Sequence, residues 1–176
     1  GPIISSNDGK KAQNRTYQDL LKNEVDEKNF ETLARSVLSK VSIKGKTKLI
    51  AKKNLYHEID FSPDGKFILI SIIQKPFSYL VPYYRFPTKY AIYSSKGKEL
   101  TVLHEVPLIE DLPKGFMAVR TGPRNFSWRS DKPSNLIFVE ALDGGNPEKD
   151  IKYRDEIFEV GYPFKQNKVS LLKTIN

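Results

Sequence analysis

The chain has 176 residues, enough for one domain with a real core, and its 39% hydrophobic content is low-normal for a globular protein. No apolar run approaches the ~18 residues that a membrane-crossing helix needs, and the absence of cysteine excludes disulfides and thiolate chemistry without identifying a compartment. The net charge of +8 is unevenly spread: residues 1–32 carry five basic and six acidic side chains, whereas Leu33 to Tyr56 holds Arg35, Lys40, Lys44, Lys46, Lys48, Lys52 and Lys53 with no acid.

Taken in order, Gly1-Pro2 has the look of a cleaved tag or cloning boundary, so any targeting segment of a parent would be missing. Ile3 to Asn14 is polar and rich in turn-forming residues, a loop. Thr16 with Asp19 three residues on resembles a capping box and predicts a short helix with Leu20, Leu21 and Val25 on one side, with a second helical turn over Glu27 to Thr32. Residues 1–32 are therefore expected to be a loop and helical connector. A hairpin follows within residues 33–54, Arg35 to Lys52, with Val37, Ser39, Val41 and Ile43 alternating against Lys40, Ser42 and Lys44 around Gly45. This basic stretch admits a nucleic-acid reading, but no aromatic side chains are interleaved to stack on bases. Lysines on the wet face of a hairpin, guarding a sheet edge, account for the pattern better.

The next unit, residues 55–113, centres on Asp60-Phe61-Ser62-Pro63-Asp64-Gly65-Lys66. Pro63 pre-sets φ, Asp64 can bond back to nearby amides and Gly65 accepts positive φ, so the chain reverses there. Tyr56 to Phe61 leads into the turn, and Phe67 to Ile73 leaves it as a nearly continuous apolar strand of the kind buried on both faces, which needs a layer above and a layer below. Tyr90 to Ser94 and Glu99 to His104, joined by Lys96-Gly97, complete four strands. Residues 114–176 repeat the scheme with Arg124 to Arg129, Asn135 to Ala141, Asp155 to Val160 and Lys168 to Thr174. Aligning Asp64 with Asp131 brings Phe61 and Trp128 into register, both expected in the core of their units. Repeated four-stranded units suggest propeller blades.

The Phe-Ser-Pro-Asp-Gly-Lys turn resembles the blade signature of β-propellers in the prolyl oligopeptidase family of serine peptidases. The ordered series Thr16-Tyr17-Gln18-Asp19-Leu20-Leu21-Lys22, Pro76-Phe77-Ser78-Tyr79, Arg85-Phe86-Pro87, Asp111-Leu112-Pro113, Trp128-Arg129 and Glu140-Ala141-Leu142-Asp143-Gly144-Gly145 is similar to the middle of the propeller in the glutamyl endopeptidase branch, from Gly1 to about Lys173. The resemblance implies an all-β fold, a partial β-propeller of about two and a half four-stranded antiparallel blades with a short N-terminal helical connector. Residues 33–54 would complete a preceding blade. It also implies a non-catalytic role, gating and selecting peptide substrates for a C-terminal α/β-hydrolase domain, absent from this chain, that carries the Ser-Asp-His triad. A periplasmic, secreted or chloroplast location would follow.

The residues themselves hold little chemistry. His57 and His104 lack zinc-site spacing and sit in expected strands, no Gly-x-Ser-x-Gly elbow occurs, and Asp143-Gly144-Gly145 lacks the Lys-Ser/Thr of a phosphate cradle. Neither a metal nor a cofactor is expected, and no hydrolysis by this chain alone. Between the second and third strands of the first complete unit, residues 76–87 contain three prolines and five aromatics. That span is too proline-rich for a central strand and too apolar for an idle loop. Tyr79, Tyr83, Tyr84 and Arg85 are thus candidates for a contact surface toward the hydrolase domain or a substrate peptide, against simple packing on their own unit. If acidic substrates are selected, Arg85, Arg120, Arg124 and Arg129 are the nearest cations, Arg85 and Arg124 being in loop or strand-start positions; salt bridges are the plainer reading of each. The competing class is a propeller interaction scaffold of TolB-like type without enzymatic activity.

Overall fold

The computed structural model describes residues 17–165 and 167–175. The expected loop over Ile3 to Asn14 and Thr16 itself lie outside that range. Helix α1 (Glu24–Ala34) begins later than the Thr16/Asp19 spacing suggests. Its N-cap is Asn23, whose Oδ1 accepts from the amides of Val25 and Asp26 at 2.9 and 3.0 Å, while Glu24, Asp26 and Glu27 complement the positive end of the helix. Asp19 instead turns the chain at φ 57°, a conformation its short polar side chain tolerates. Leu21 therefore packs ahead of the helix, near Leu55, Val81 and Phe86, and Val25 is exposed.

The strands fall where alternation and turn chemistry put them. β1 (Ser36–Val41) and β2 (Thr47–Asn54) form a two-stranded antiparallel sheet. β3 (Tyr56–Phe61), β4 (Phe67–Ile73), β5 (Thr88–Ser94) and β6 (Glu99–Val106) form a second sheet, and β7 (Arg124–Trp128), β8 (Leu136–Ala141), β9 (Asp155–Val160) and β10 (Val169–Thr174) a third. In both four-stranded sheets every strand lies beside its sequence neighbour, the meander that short turns dictate. Among the described residues the fold is all-β apart from α1 and one 3-10 turn: an open, partial propeller-like succession of antiparallel sheets rather than a closed ring.

The Ser62–Lys66 turn shows how sequence becomes geometry. Gly65 has φ 66° and its amide donates to the Ser62 carbonyl at 2.8 Å. Asp64 Oδ1 accepts from Ser62 Oγ at 2.7 Å and from the Lys66 amide at 3.1 Å, and the Ser62 bond, with Lys66 adding, holds its carboxyl below the usual carboxylate range. The Asp64 amide donates to the Pro133 carbonyl at 3.0 Å, so the turn is tied to its counterpart in the third sheet.

β4 is covered on both faces. Leu69, with Ile92 of β5, packs against Leu136, Phe138, Phe158 and Val160 of the third sheet and Phe164 of its β9–β10 loop. Ile68, Ile70 and Ile72 point the other way and meet Leu38 of β1. The β1–β2 sheet therefore lies over one face of the second sheet, and the third sheet lies under the other. Within the hairpin the expected inward set is corrected. Register shifts on both sides of Leu38 turn that residue toward the core, as bulges do, and leave Val37, Val41 and Ile43 exposed.

Trp128 and Phe61 occupy equivalent places, each the last residue of the first strand of its sheet, paired with Leu136 and Ile68 respectively. Trp128 packs against the core between the two four-stranded sheets, its ring 5.9 Å from that of Phe164 and its Nε1 donating to the Asp60 carbonyl at 3.2 Å. Phe61, expected in the core, is 55% exposed: in the register of Trp128, it faces a layer that, among the described residues, has two strands.

Candidate functional site

Residues 74–87 form a loop whose base is closed by the Gln74 amide donating to the Pro87 carbonyl at 2.7 Å. Its apolar half packs inward. Phe86 and Val81 are buried with Leu55 and Ile73, and Phe77 stacks on Phe86 at 5.2 Å while Phe30 of α1 meets both edge-on at 5.2 and 5.9 Å. Helix and loop are also joined by Lys75 Nζ between Glu27 and Glu31 at 3.4 and 2.8 Å, and by Tyr79 Oη donating to Glu27 at 3.2 Å. Partial burial pushes the Tyr79 phenol up, with Glu27 adding to it. The sequence could not show this partner, because a helix some fifty residues away supplies it.

The polar half of the loop divides. Tyr83, Tyr84 and Arg85 make a 3-10 turn, in which Tyr83 sits 5.7 Å from the His57 ring and 5.8 Å from Tyr84. Tyr79, Leu80, Tyr83 and Tyr84 remain 40 to 66% exposed and form a patch. Arg85, expected on that patch, is buried, 7% exposed, with its guanidinium 5.2 Å over the Tyr17 ring and its carbonyl accepting from the Ile109 amide at 3.0 Å. An arginine stem covers apolar surface well and its planar head stacks on a ring; here both features direct it inward.

The other arginines lie between or within sheets. Arg129 bonds Asp131 and, through Nη1, Glu159 at 2.7 Å, which makes it a structural ion pair. Arg124 Nη2 bonds Asp155 Oδ2 at 2.6 Å, while its buried Nη1 has no hydrogen-bond partner among the described residues. Arg120 donates to the carbonyls of Thr121 and Pro123, and burial, with Arg124 adding, holds its guanidinium below its ordinary value. His104 and Tyr90 are cross-strand partners beside this pair. Burial, then Arg120, lowers the His104 imidazole, and burial raises the Tyr90 phenol. Arg120 also lines, with Val106, Ile109, Leu112 and Thr121, a cleft of about 500 Å³. A second cleft of about 870 Å³ opens between β6 and the third sheet, with Phe126, Phe138 and Phe164 at its apolar side and Lys165 and Lys168 among its polar lining. Both linings mix charges, Glu110 and Asp111 beside Arg120 in the first and Glu140 paired with Lys168 in the second, so the clefts can take a chain segment by apolar contact; no nucleophile and base stand together among the residues that line them.

No family model matches the chain, and no solved structure matches it. Two curated relatives do: the probable chloroplastic glutamyl endopeptidase of Oryza sativa subsp. japonica, 42% identical over 159 residues, and that of Arabidopsis thaliana, 38% identical over the same length. Each alignment takes in 90% of this chain but only 17% and 16% of the respective relative. The chain is therefore homologous to one part of these two larger relatives, a stretch about a sixth of their length.

Proposed function

We propose that the chain is a non-catalytic propeller segment of a serine peptidase, which gates and selects peptides for a C-terminal α/β-hydrolase domain of the same parent. The observation that carries this reading is the 42% identity over 90% of the chain to a protein named as a glutamyl endopeptidase. It is supported by the succession of stacked meanders, the form propeller blades take. In such a protein the hydrolase domain performs acyl transfer with an oxyanion hole, and the propeller excludes water and folded substrates. The cation suited to favouring acidic residues in a peptide is Arg120, beside His104 and on the lining of a cleft, rather than Arg124 and Arg129 in their ion pairs or Arg85 over its tyrosine. The exposed Tyr79, Tyr83 and Tyr84 patch is the surface for the hydrolase domain, since tyrosines on a proline-stiffened loop lose little entropy on binding.

The same patch also supports the scaffold reading, in which it holds another protein and no catalysis occurs. The two separate on the parent protein. A fluorophosphonate probe should label a serine outside these residues, and short Glu-containing peptides should be cleaved while the same sequence inside a folded protein is spared. Absence of labelling sinks the peptidase reading, and equal cleavage of peptide and folded protein sinks the gating role.

A further inference from the structure

The turn between β1 and β2 stands clear of the sheets behind it. Gly97 of the β5–β6 turn lies against the Ile50 carbonyl of β2. Lys46 precedes Ile50 by four residues, so the hairpin runs roughly 13 Å past that contact at strand spacing. Every residue from Ser39 to Leu49 is exposed, yet the turn is well made. The Ser42 amide donates to the Lys46 carbonyl at 2.9 Å, the Gly45 amide to the Ser42 carbonyl at 2.8 Å and the Lys46 amide to Ser42 Oγ at 3.0 Å, with Gly45 at φ 78°. At the tip, Ile43 is 104% exposed. Behind it Lys40 and Lys48 are directly opposed across the strands, a like-charge pairing that costs stability. Lys44 and Lys46 in the turn, with Lys96 and Lys98 either side of Gly97, complete the group. All are exposed and none forms an ion pair among the described residues, whereas Lys66, Lys75, Lys89, Lys132 and Lys168 each hold a carboxylate. No acidic residue occurs between Glu31 and Glu58, and Glu99, next to Lys98, is taken by Lys89 and Tyr93.

We infer that this turn is a membrane-surface finger: Ile43 enters the headgroup–acyl boundary of a bilayer, and the lysines around it meet anionic lipid headgroups. Edge protection accounts for lysines along a strand but not for a fully exposed isoleucine held at the end of an ordered turn. A polyanion such as RNA would meet the lysines and leave Ile43 idle, with no aromatic ring between them to stack on bases. An anionic bilayer engages both, positive charge at its surface and an apolar tip just beneath. The remaining charge agrees with this orientation. β2 ends at the other side of the molecule, where the Ile73 amide donates to the Leu55 carbonyl at 2.9 Å, so the finger points away from residues 74–87. The acidic side chains of α1 gather with that loop, Glu27 and Glu31 on Lys75. A finger on the membrane thus holds the acidic end away from an anionic surface and leaves Tyr79, Tyr83 and Tyr84 free for a protein partner. The inference rests on the finger and its lysines, not on the parent being a peptidase.

The test uses the parent protein. It should float with vesicles of phosphatidylcholine containing roughly a third phosphatidylserine and not with phosphatidylcholine alone, and salt at about 0.5 M should release it. Lys44→Gln combined with Lys46→Gln should weaken binding roughly 25-fold, about 5-fold per lysine, and Ile43→Ser roughly 10-fold. Lys28→Gln, exposed on α1, should leave binding unchanged. All these side chains are exposed, so the thermal midpoint of each variant should match that of the unsubstituted protein. An environment-sensitive fluorescent amino acid in place of Ile43 should shift to the blue on anionic vesicles. No flotation at low salt overturns the inference, as does flotation that survives the lysine and isoleucine variants. Tighter binding to duplex RNA than to vesicles at the same salt, lost with the same lysines, assigns the finger to a phosphate backbone and overturns it too. Flotation that depends on Ile43 in a protein unreactive to fluorophosphonate keeps this inference and loses the peptidase reading; a labelled protein that does not float does the reverse.

Discussion

Trp128→Ala should destabilise the chain by about 3 kcal/mol. The ring is mostly buried against the core between the two four-stranded sheets. If ~150 Å² of apolar surface leaves water on folding, that burial contributes roughly 3–4 kcal/mol, less a discount of about a quarter for residual burial in the unfolded chain. The edge-on contact with Phe164 at 5.9 Å adds roughly 0.5–1 kcal/mol. The Nε1 bond to Asp60, being solvent-exposed, adds no more than about 0.5 kcal/mol. Relaxation of Phe164 and Phe67 into the vacated space offsets part of the total. Trp128→Phe, which keeps a ring but loses the indole bond and some area, should cost about 1 kcal/mol. Urea unfolding followed by far-ultraviolet circular dichroism measures both, at constant m-value. A loss below ~1 kcal/mol for the alanine variant would show that the two sheets are not held together at this ring.

Other substitutions test separate parts of the structure. Glu159 accepts from Lys132, Arg129 and Asn135, and these bonds, Lys132 foremost, hold its carboxyl below the usual range. Its contribution to stability is thus present above the unfolded-state value near ~4.3 and is lost as pH falls through the lower folded value. Glu159→Gln should flatten the acid limb of a stability-against-pH curve, and an unchanged limb would assign it to other carboxylates. Gly97→Ala would place a methyl 2.1 Å from the Ile50 carbonyl at φ +90°; it should cost more than ~1 kcal/mol and speed amide exchange in β2, and unaltered exchange would place the strain elsewhere. Arg85→Ala should cost about 1–3 kcal/mol through lost stacking and packing and leave the parent's preference between matched Glu and Gln peptides unchanged. A collapse of that preference at unaltered stability would return Arg85 to a substrate role.

The strands were legible because their signals are local. Period-two alternation and the Pro63-Asp64-Gly65 and Lys96-Gly97 turns act within a few residues, and they located every strand of the two four-stranded sheets to within two residues. The helix start was misplaced because Asn23 competes with Thr16 as a cap, and the difference lies in whether Asp19 can turn the chain first. The candidate site was only partly legible. A sequence shows that residues 76–87 must bury rings, but not that Phe30 receives them, nor that Tyr17 draws Arg85 inward. Phe61 and Trp128 carry the same local signal and differ in burial because one has a complete sheet above it and the other does not.

The meander order has a consequence for how the molecule comes apart. Each strand bonds only to sequence neighbours, and each sheet touches the next through one face, so stability is a chain of nearest-neighbour interfaces rather than a single shared core. Opening the third sheet would strip the cover from Leu69 and Ile92 yet leave Ile68, Ile70 and Ile72 against Leu38 untouched. Loss of structure can therefore proceed sheet by sheet, and each interface between sheets can be broken while the next one holds.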